Sequence, residues 1–262
     1  MDLKIDDKIA LVTGGSKGIG FGIASSLARE GVGIVLLSRD EKSLITAKEN
    51  IIKNGGEVLD VIQADLSDPS IDSIVNTKLK NINIAPDILI NNTGGPPFGN
   101  LFDHSSDIWY EFFNQNLMSI IKLTKILSKD MLDKKWGRII NISSTNAIEP
   151  TSEMVISSTL RSAVAAFSKS ASLTFAKSGI TINTICPGGV STDRLINLIN
   201  TKAKSTNTSP ENELKKAEKS IPMGRFATPK ELATLVSYLC SPKADYLTGQ
   251  VFPFDGGLVK GF

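Results

Sequence analysis

Thr13-Gly14-Gly15-Ser16-Lys17-Gly18-Ile19-Gly20 is the stretch on which the fold turns. The apolar run Ile9–Thr13 leads straight into it, and helical periodicity follows from Gly18 to Glu30. Strand, glycine-rich turn and helix in that order let the backbone approach a pyrophosphate, to which the helix N-terminus offers unpaired N–H groups and a positive dipole. The spacing is T-G-x-x-x-G-x-G rather than G-x-G-x-x-G. On this segment alone, a turn that merely connects two elements stays open.

Outward from that turn, short apolar runs alternate with longer helical segments, as βαβ units feeding a parallel sheet do. The expected strands are Ile9–Thr13, Gly33–Ser38, Val58–Ala64, Ile88–Asn91, Arg138–Ser143, Thr181–Cys186 and Gln250–Phe254. Their Val/Ile/Leu content without strict alternation suits strands covered on both faces. Helices are expected over roughly Gly18–Glu30, Glu41–Lys53, Asp68–Lys80, Asp107–Leu132, Ser157–Lys177 and Pro229–Leu239. The fold expected is α/β: a Rossmann-type, doubly wound, seven-stranded parallel sheet with helices on both faces, three layers in all, forming one domain over residues 1–262. Gly94-Gly95-Pro96-Pro97-Phe98-Gly99 must be a loop at the carboxyl end of a strand, where such sheets bind ligands. Asp193 to Arg225 is polar, and Ser205-Thr206-Asn207-Thr208-Ser209-Pro210 breaks it into two helical pieces. It reads either as a solvated surface excursion or as a mobile substrate lid.

Composition narrows the function classes. With 41% hydrophobic and 21% charged residues in 262, the chain can bury a sizeable core. Its 29 Lys and Arg against 27 Asp and Glu leave a net charge of +2, too little for a broad phosphate-binding face, so nucleic acid is not the expected partner. Two cysteines, Cys186 and Cys240, make no secreted disulfide framework, and Cys186 reads as a small buried apolar residue. A single histidine, His104, argues against a histidine-rich metal site, and no metal is expected. The N-terminus lacks the basic start and apolar stretch of a signal peptide, and no apolar run reaches ~18 residues, so a cytoplasmic protein with no membrane partner is expected.

Further motifs make the chain resemble the short-chain dehydrogenase/reductase family, particularly its ketoacyl-carrier-protein reductases, over essentially its whole length. Asn91-Asn92-Thr93-Gly94 is similar to the family's N-N-A-G segment, and Asn116-Leu117 to the segment carrying the Asn of its catalytic tetrad. Gly137-Arg138-Ile139-Ile140-Asn141-Ile142-Ser143-Ser144 resembles the strand that ends in the catalytic Ser, which falls on Ser144. Pro187-Gly188-Gly189-Val190-Ser191-Thr192 is similar to P-G-x-x-x-T, and Leu247-Thr248-Gly249-Gln250 with Asp255-Gly256-Gly257 to the C-terminal pattern.

The resemblance implies a nicotinamide cofactor. Gly14, Ser16, Lys17, Gly18, Ile19 and Gly20 would form its phosphate turn. NAD-selective relatives place an acid at the end of the second strand, whereas NADP needs cations there. The position here is Ser38, followed by Arg39, and Lys17 adds a second cation, so NADP(H) is expected. Asp40 carries the competing NAD reading. The resemblance also puts Asp65 and Leu66 beside adenine, Asn92, Thr93 and Gly94 beside the ribose, and Thr192, with Pro187, Gly188 and Val190, along the nicotinamide.

One departure outweighs the matches. Where the family has Y-x-x-x-K, this sequence has Ser157-Ser158-Thr159-Leu160-Arg161, and Arg161-Ser162-Ala163-Val164-Ala165-Ala166-Phe167 continues as the family's helix does. Leu160, Val164, Phe167 and Ala171 mark its buried stripe. The missing phenol ionises near pH ~10, within reach of tuning by a neighbouring Lys; the Ser157 hydroxyl is a much weaker acid. Arg161 can anchor the cofactor ribose or an anionic substrate, but it shuttles no proton. Glu149, Glu153 and His104 are the titratable alternatives, though the first two read more simply as solvated loop acids and His104 as a surface or capping residue.

Two functions stand at this point. The first is an NADP(H)-dependent oxidoreductase moving a hydride between nicotinamide and a carbonyl or alcohol substrate, with Asn116, Ser144, Ser157 and Arg161 in an altered active site. The second is a catalytically silent NADP-binding sensor. Family habit implies a homotetramer built on the Asp107–Leu132 and Ser157–Lys177 helices.

Overall fold

The computed structural model describes residues 1–261. Seven strands, β1 (Ile9–Thr13), β2 (Gly33–Ser38), β3 (Val58–Gln63), β4 (Ile88–Asn92), β5 (Gly137–Ile142), β6 (Ile180–Pro187) and β7 (Val251–Phe254), form one sheet in the order β3-β2-β1-β4-β5-β6-β7. Every pairing is parallel. The chain leaves β3 to return beside β1 as β4, and this reversal of direction opens a crevice at the carboxyl ends of β1 and β4.

Side chains of β1 alternate between two cores, as period 2 requires. Ala10 and Val12 pack with Ile23 and Leu27 of α1 (Gly18–Arg29), Leu44 of α2 (Glu41–Lys53) and Leu232 of α9 (Pro229–Leu239). Leu11 packs on the other face with Ile71 and Val75 of α3 (Ile71–Asn81), Leu123 and Leu127 of α5 (Ser119–Lys134) and Phe175 of α6 (Val155–Phe175). The three-layer α/β/α architecture is as expected.

Two element assignments are corrected. The segment Asp107–Leu132 is not one α-helix: α4 (Ser106–Phe113) passes through a π-helical turn at Asn114–Met118 before α5 begins. The third helix starts at Ile71 rather than Asp68, because the Asp68 carboxylate accepts from Ser70 N at 2.7 Å and holds a turn there. Asp193 to Arg225 contains α7 (Asp193–Ser205) and α8 (Pro210–Ser220), joined by a turn in which Glu213 accepts from Thr206 and Thr208 hydroxyls.

A buried polar ladder sets α6 on the sheet beneath the crevice. Asn91 of β4 donates to Asn141 of β5, Asn141 donates to Ser168 of α6, and Thr184 of β6 donates to the same Ser168 hydroxyl, each at 2.8 Å.

Candidate active site

A cleft of about 720 Å³ runs along the carboxyl edge of the sheet, within the ~300–1,000 Å³ typical of small-molecule and cofactor sites. One wall is the glycine turn. Gly14 and Gly18 hold φ of +55° and +56°, which only glycine adopts without strain, and a Cβ on Gly14 would stand 2.7 Å from Asn92. Asn92 braces the turn, donating from Nδ2 to the carbonyls of Gly14 (3.2 Å) and Thr13 (3.3 Å). Ser16, Lys17 and Ile19 line the cleft, while Gly20 lies behind the turn, where a Cβ would collide with the Gly14 carbonyl.

Beyond this turn the cleft reaches Ser38, Arg39, Asp40 and Leu66. The Ser38 hydroxyl is buried without a partner. Asp40 is taken up by α2: as its N-cap it accepts from Ser43 N at 2.8 Å, and hydrogen bonds from Ser43 hold its carboxyl below the usual range. Arg39 keeps most of its guanidinium fork free, pairing only with Asp65 at 3.6 Å. Asp65 itself turns out of the cleft lining. Its carboxylate accepts from the Ser67 backbone and hydroxyl, both at 2.8 Å; burial works to raise its pKa, but these bonds and Arg39 hold it below the ordinary value.

At the other end stand Ser144, Ser157 and Arg161. The Ser144 side chain, just past β5, accepts from Asn146 N at 3.2 Å. Ser157 and Arg161 lie one turn apart on α6 and share a face. Arg161 is buried; it donates to the carbonyl of Ile142 at 2.9 Å and, at the limit of hydrogen bonding, to that of Thr93 at 3.5 Å. Burial, and next the charge of Arg194, lower its pKa to about 10, so it is a cation at neutral pH. Asn116 sits in the π-helical turn behind the lining and donates from Nδ2 to the Gly94 carbonyl at 3.0 Å, while its Oδ1 is buried and unpartnered. Thr93, Gly94, Pro187, Gly188 and Val190 complete this end. Thr192 caps α7, its hydroxyl accepting from Leu195 N at 3.3 Å.

The other titratable candidates lie elsewhere. Glu149 accepts from Lys260 N at 2.6 Å, Glu153 pairs with Lys202 at 3.7 Å, and His104 packs against Gly99. Among the described residues, the cleft lining contains no Tyr, His, Cys or Glu; its carboxylates are Asp40 and Asp193. No group of three or more His, Cys, Asp or Glu is placed to hold a metal among the described residues. Sequence reading offered the segment from Asp193 as surface excursion or lid without naming the residues of α7 that line the cleft, Arg194, Leu195, Leu198 and Thr201, and it missed Gln115 and Met154 beside them. A signal for Arg194 was present: it is a cation in the first turn of a helix, the end whose dipole disfavours one.

A parallel sheet in this order, with a glycine-walled cleft across its reversal point, defines a Rossmann-type nucleotide-binding protein. The family profile described as enoyl-(acyl carrier protein) reductase matches residues 14–259. The 3-oxoacyl-acyl-carrier-protein reductase of Vibrio harveyi is 32% identical over 260 residues, covering 98% of this chain and 99% of that protein. Among solved structures, actinorhodin polyketide ketoreductase with NADPH superposes with a TM-score of 0.92 at 31% identity, over 98% of this chain and 99% of that one. L-sorbose reductase of Gluconobacter frateurii, complexed with NADPH and L-sorbose, gives 0.95 at 29% identity over 100% of both chains. The chain belongs to the short-chain dehydrogenase/reductase family and is an oxidoreductase of that kind.

Proposed function

We propose that this protein is an NADP(H)-dependent reductase of a carbonyl substrate whose active site works without the family's Tyr and Lys. The observation that carries the reading is the division of one cleft into two chemically distinct ends. Exposed cations, Lys17 and Arg39, stand at the end beyond the glycine turn, and hydroxyls with a buried cation, Ser144, Ser157 and Arg161, stand at the other. The residues present fit the cofactor. Gly14 and Gly18 line the cleft with bare backbone, the Ser38 hydroxyl is buried without a partner, and Asp40, the acid that would favour NAD, is tied up as a helix cap.

Bound NADPH supplies the hydride for the carbonyl carbon. The glycine turn, with Ser16, Lys17 and Ile19, would hold the pyrophosphate at the N-terminus of α1, and Arg39 and Lys17 would hold the 2′-phosphate. Leu66 would serve the adenine, Asn92 to Gly94 the ribose, and Pro187, Gly188, Val190 and Thr192 the nicotinamide. Ser144 and Ser157 donate hydrogen bonds to the carbonyl oxygen, and water beside Ser157 delivers its proton. Arg161 supplies fixed positive charge where negative charge develops on that oxygen. Asn116 is a positioning residue that holds the Gly94 carbonyl. Gly20 and Asp65 shape the turn and the Arg39 side chain from behind. A positioned general acid is worth ~10²–10⁴ in rate, whereas alignment of the reactants alone supplies ~7–11 kcal/mol. Loss of the phenol therefore need not abolish hydride transfer.

The reading includes a homo-oligomer, supported by exposed Tyr110 and Phe113 on α4, Leu132 on α5 and Leu173 on α6. No helix among the described residues is long and apolar enough to cross a membrane. The lack of a Tyr, His, Cys or Glu among the described residues lining the cleft favours one other reading, a silent NADP-binding sensor. Turnover of NADPH with a panel of activated ketones decides: oxidation above background supports the reductase, and tight NADPH binding with no turnover supports the sensor.

A further inference from the structure

Gly95 has no left-handed φ to account for it; what a side chain there would strike is the guanidinium of Arg194. That guanidinium crosses the cleft from the first turn of α7 and donates from Nη2 to the Pro96 carbonyl at 3.0 Å. Arg194 is exposed at the cleft mouth and Arg161 is buried within it, close enough for the charge of one to act on the other. Neither has a carboxylate within 4.0 Å among the described residues, and both donate only to neutral carbonyls. Each guanidinium carries five N–H donors. Arg161 uses two and Arg194 one, so most of their donors have no protein partner in the cleft that both residues line.

Two like charges held together, one against a helix dipole and one out of water, oppose folding and call for an anion between them. We propose that Arg161 and Arg194 form a carboxylate subsite, and that the substrate is a short oxo acid whose carbonyl lies at Ser144 and Ser157. The planar fork of arginine suits bidentate capture of a carboxylate. Ser157 and Arg161 lie one turn apart on the same face of α6, so they would hold carbonyl and carboxylate close together, as a 2-oxo acid requires. The proposal rests on the reductase reading above.

The test uses oxamate, an unreactive mimic of a 2-oxo acid, and its neutral ethyl ester, titrated calorimetrically into the protein with and without NADPH. Oxamate should bind at least about ten-fold more tightly than the ester, and Arg194→Leu should remove that preference while still binding NADPH. Arg194→Lys, which keeps the charge but not the fork, should retain part of it. Equal binding of ester and acid, or undiminished oxamate binding by Arg194→Leu, overturns the subsite. Loss of NADPH in step with oxamate also overturns it, since the guanidinium would then serve a cofactor phosphate. If NADPH binds neither form, the reductase reading falls by itself, and the titrations without NADPH still decide the subsite.

Discussion

The guanidinium of Arg161 donates to the carbonyl of Ile142, the last residue of β5, at 2.9 Å, pinning the active-site face of α6 to the end of the strand that leads to Ser144. A lysine at 161 would have one ammonium group in place of that planar fork and would be freer to reach a neighbouring hydroxyl. Arginine here therefore has a structural duty as well as an electrostatic one, and the two should be separable by mutation.

Restoring the family's pair should restore an acid. Ser157→Tyr with Arg161→Lys is expected to raise NADPH-dependent reduction of activated ketones towards the ~10²–10⁴ that a general acid contributes. Each single change should do far less, because Tyr without the Lys keeps its high pKa and Lys without the Tyr has no acid to tune. Steady-state rates for the four proteins, with NADPH affinity checked first, make the comparison. A folded double variant that binds NADPH and gains nothing would remove the idea of a reductase lacking only its acid.

Cofactor choice should rest on Arg39. Its pairing with Asp65 at 3.6 Å is exposed and weak, leaving the fork available to a 2′-phosphate. Arg39→Ala should weaken NADPH by roughly 1.5–3 kcal/mol, the worth of a hydrogen bond to a charged group, and change NADH little. Fluorescence titration with both cofactors checks it, and a parent protein that binds NADH as tightly as NADPH would refute the assignment.

The strand pattern was legible because buried parallel strands write their burial directly as Val/Ile/Leu runs. β1 and β2 and the helices α2 and α9 fall at the residues expected, the last two marked by Asp40 and by Thr228-Pro229 at their starts. The π-helical turn at Asn114–Met118 was not legible. No Gly or Pro interrupts the helical pattern there, and what stands at the site of the extra residue is a long-range hydrogen bond from Asn116 to Gly94. At the site, the glycine turn could be read from type and spacing, and Ser157 and Arg161 only through the family resemblance. The segment of α7 could be read only as either surface or lid, since Leu195 and Leu198 announce an amphipathic helix without saying which surface it meets. Asp65 shows a local constraint that the resemblance does not carry: Ser67, two residues on, donates to its carboxylate and fixes its side chain.

Alkaline pH should destabilise the fold through its thiols. Cys186 and Cys240 are fully buried; burial raises both pKa values, pushing that of Cys240 up to about 12. An unfolded thiol ionises near pH ~8.5, so above that value the unfolded chain gives up protons that the folded chain keeps. Stability from these groups is therefore whole below pH ~8.5 and falls as pH rises towards the folded values. Urea midpoints between pH 8 and 11 should decline, and Cys240→Ala should flatten the decline. Neither thiol should react with a disulfide reagent in the native state at pH 8; prompt release of one equivalent would contradict the burial.

Helix α7 should behave as the moving wall of the cleft. It is held from the inside by Ile199 and Ala203, which are buried, and across the mouth by the single bond from Arg194 to Pro96 and the ion pair of Lys202 with Glu153. Most of its other residues are exposed or only partly buried, so opening it exposes little apolar surface, and local opening should cost much less than global unfolding. Amide hydrogen exchange across residues 193–205 is therefore expected to be fast in the free protein. It should slow once NADPH and a substrate analogue occupy both ends of the cleft, since both ligands would contact this helix. NADPH alone should protect the first turn, near Thr192, more than the rest. Arg194→Leu should speed exchange in the free protein by removing the contact with Pro96. Exchange across 193–205 that is as slow without ligands as with them would mean that α7 is a fixed part of the scaffold, and entry to the site would then have to pass through the 94–99 loop instead.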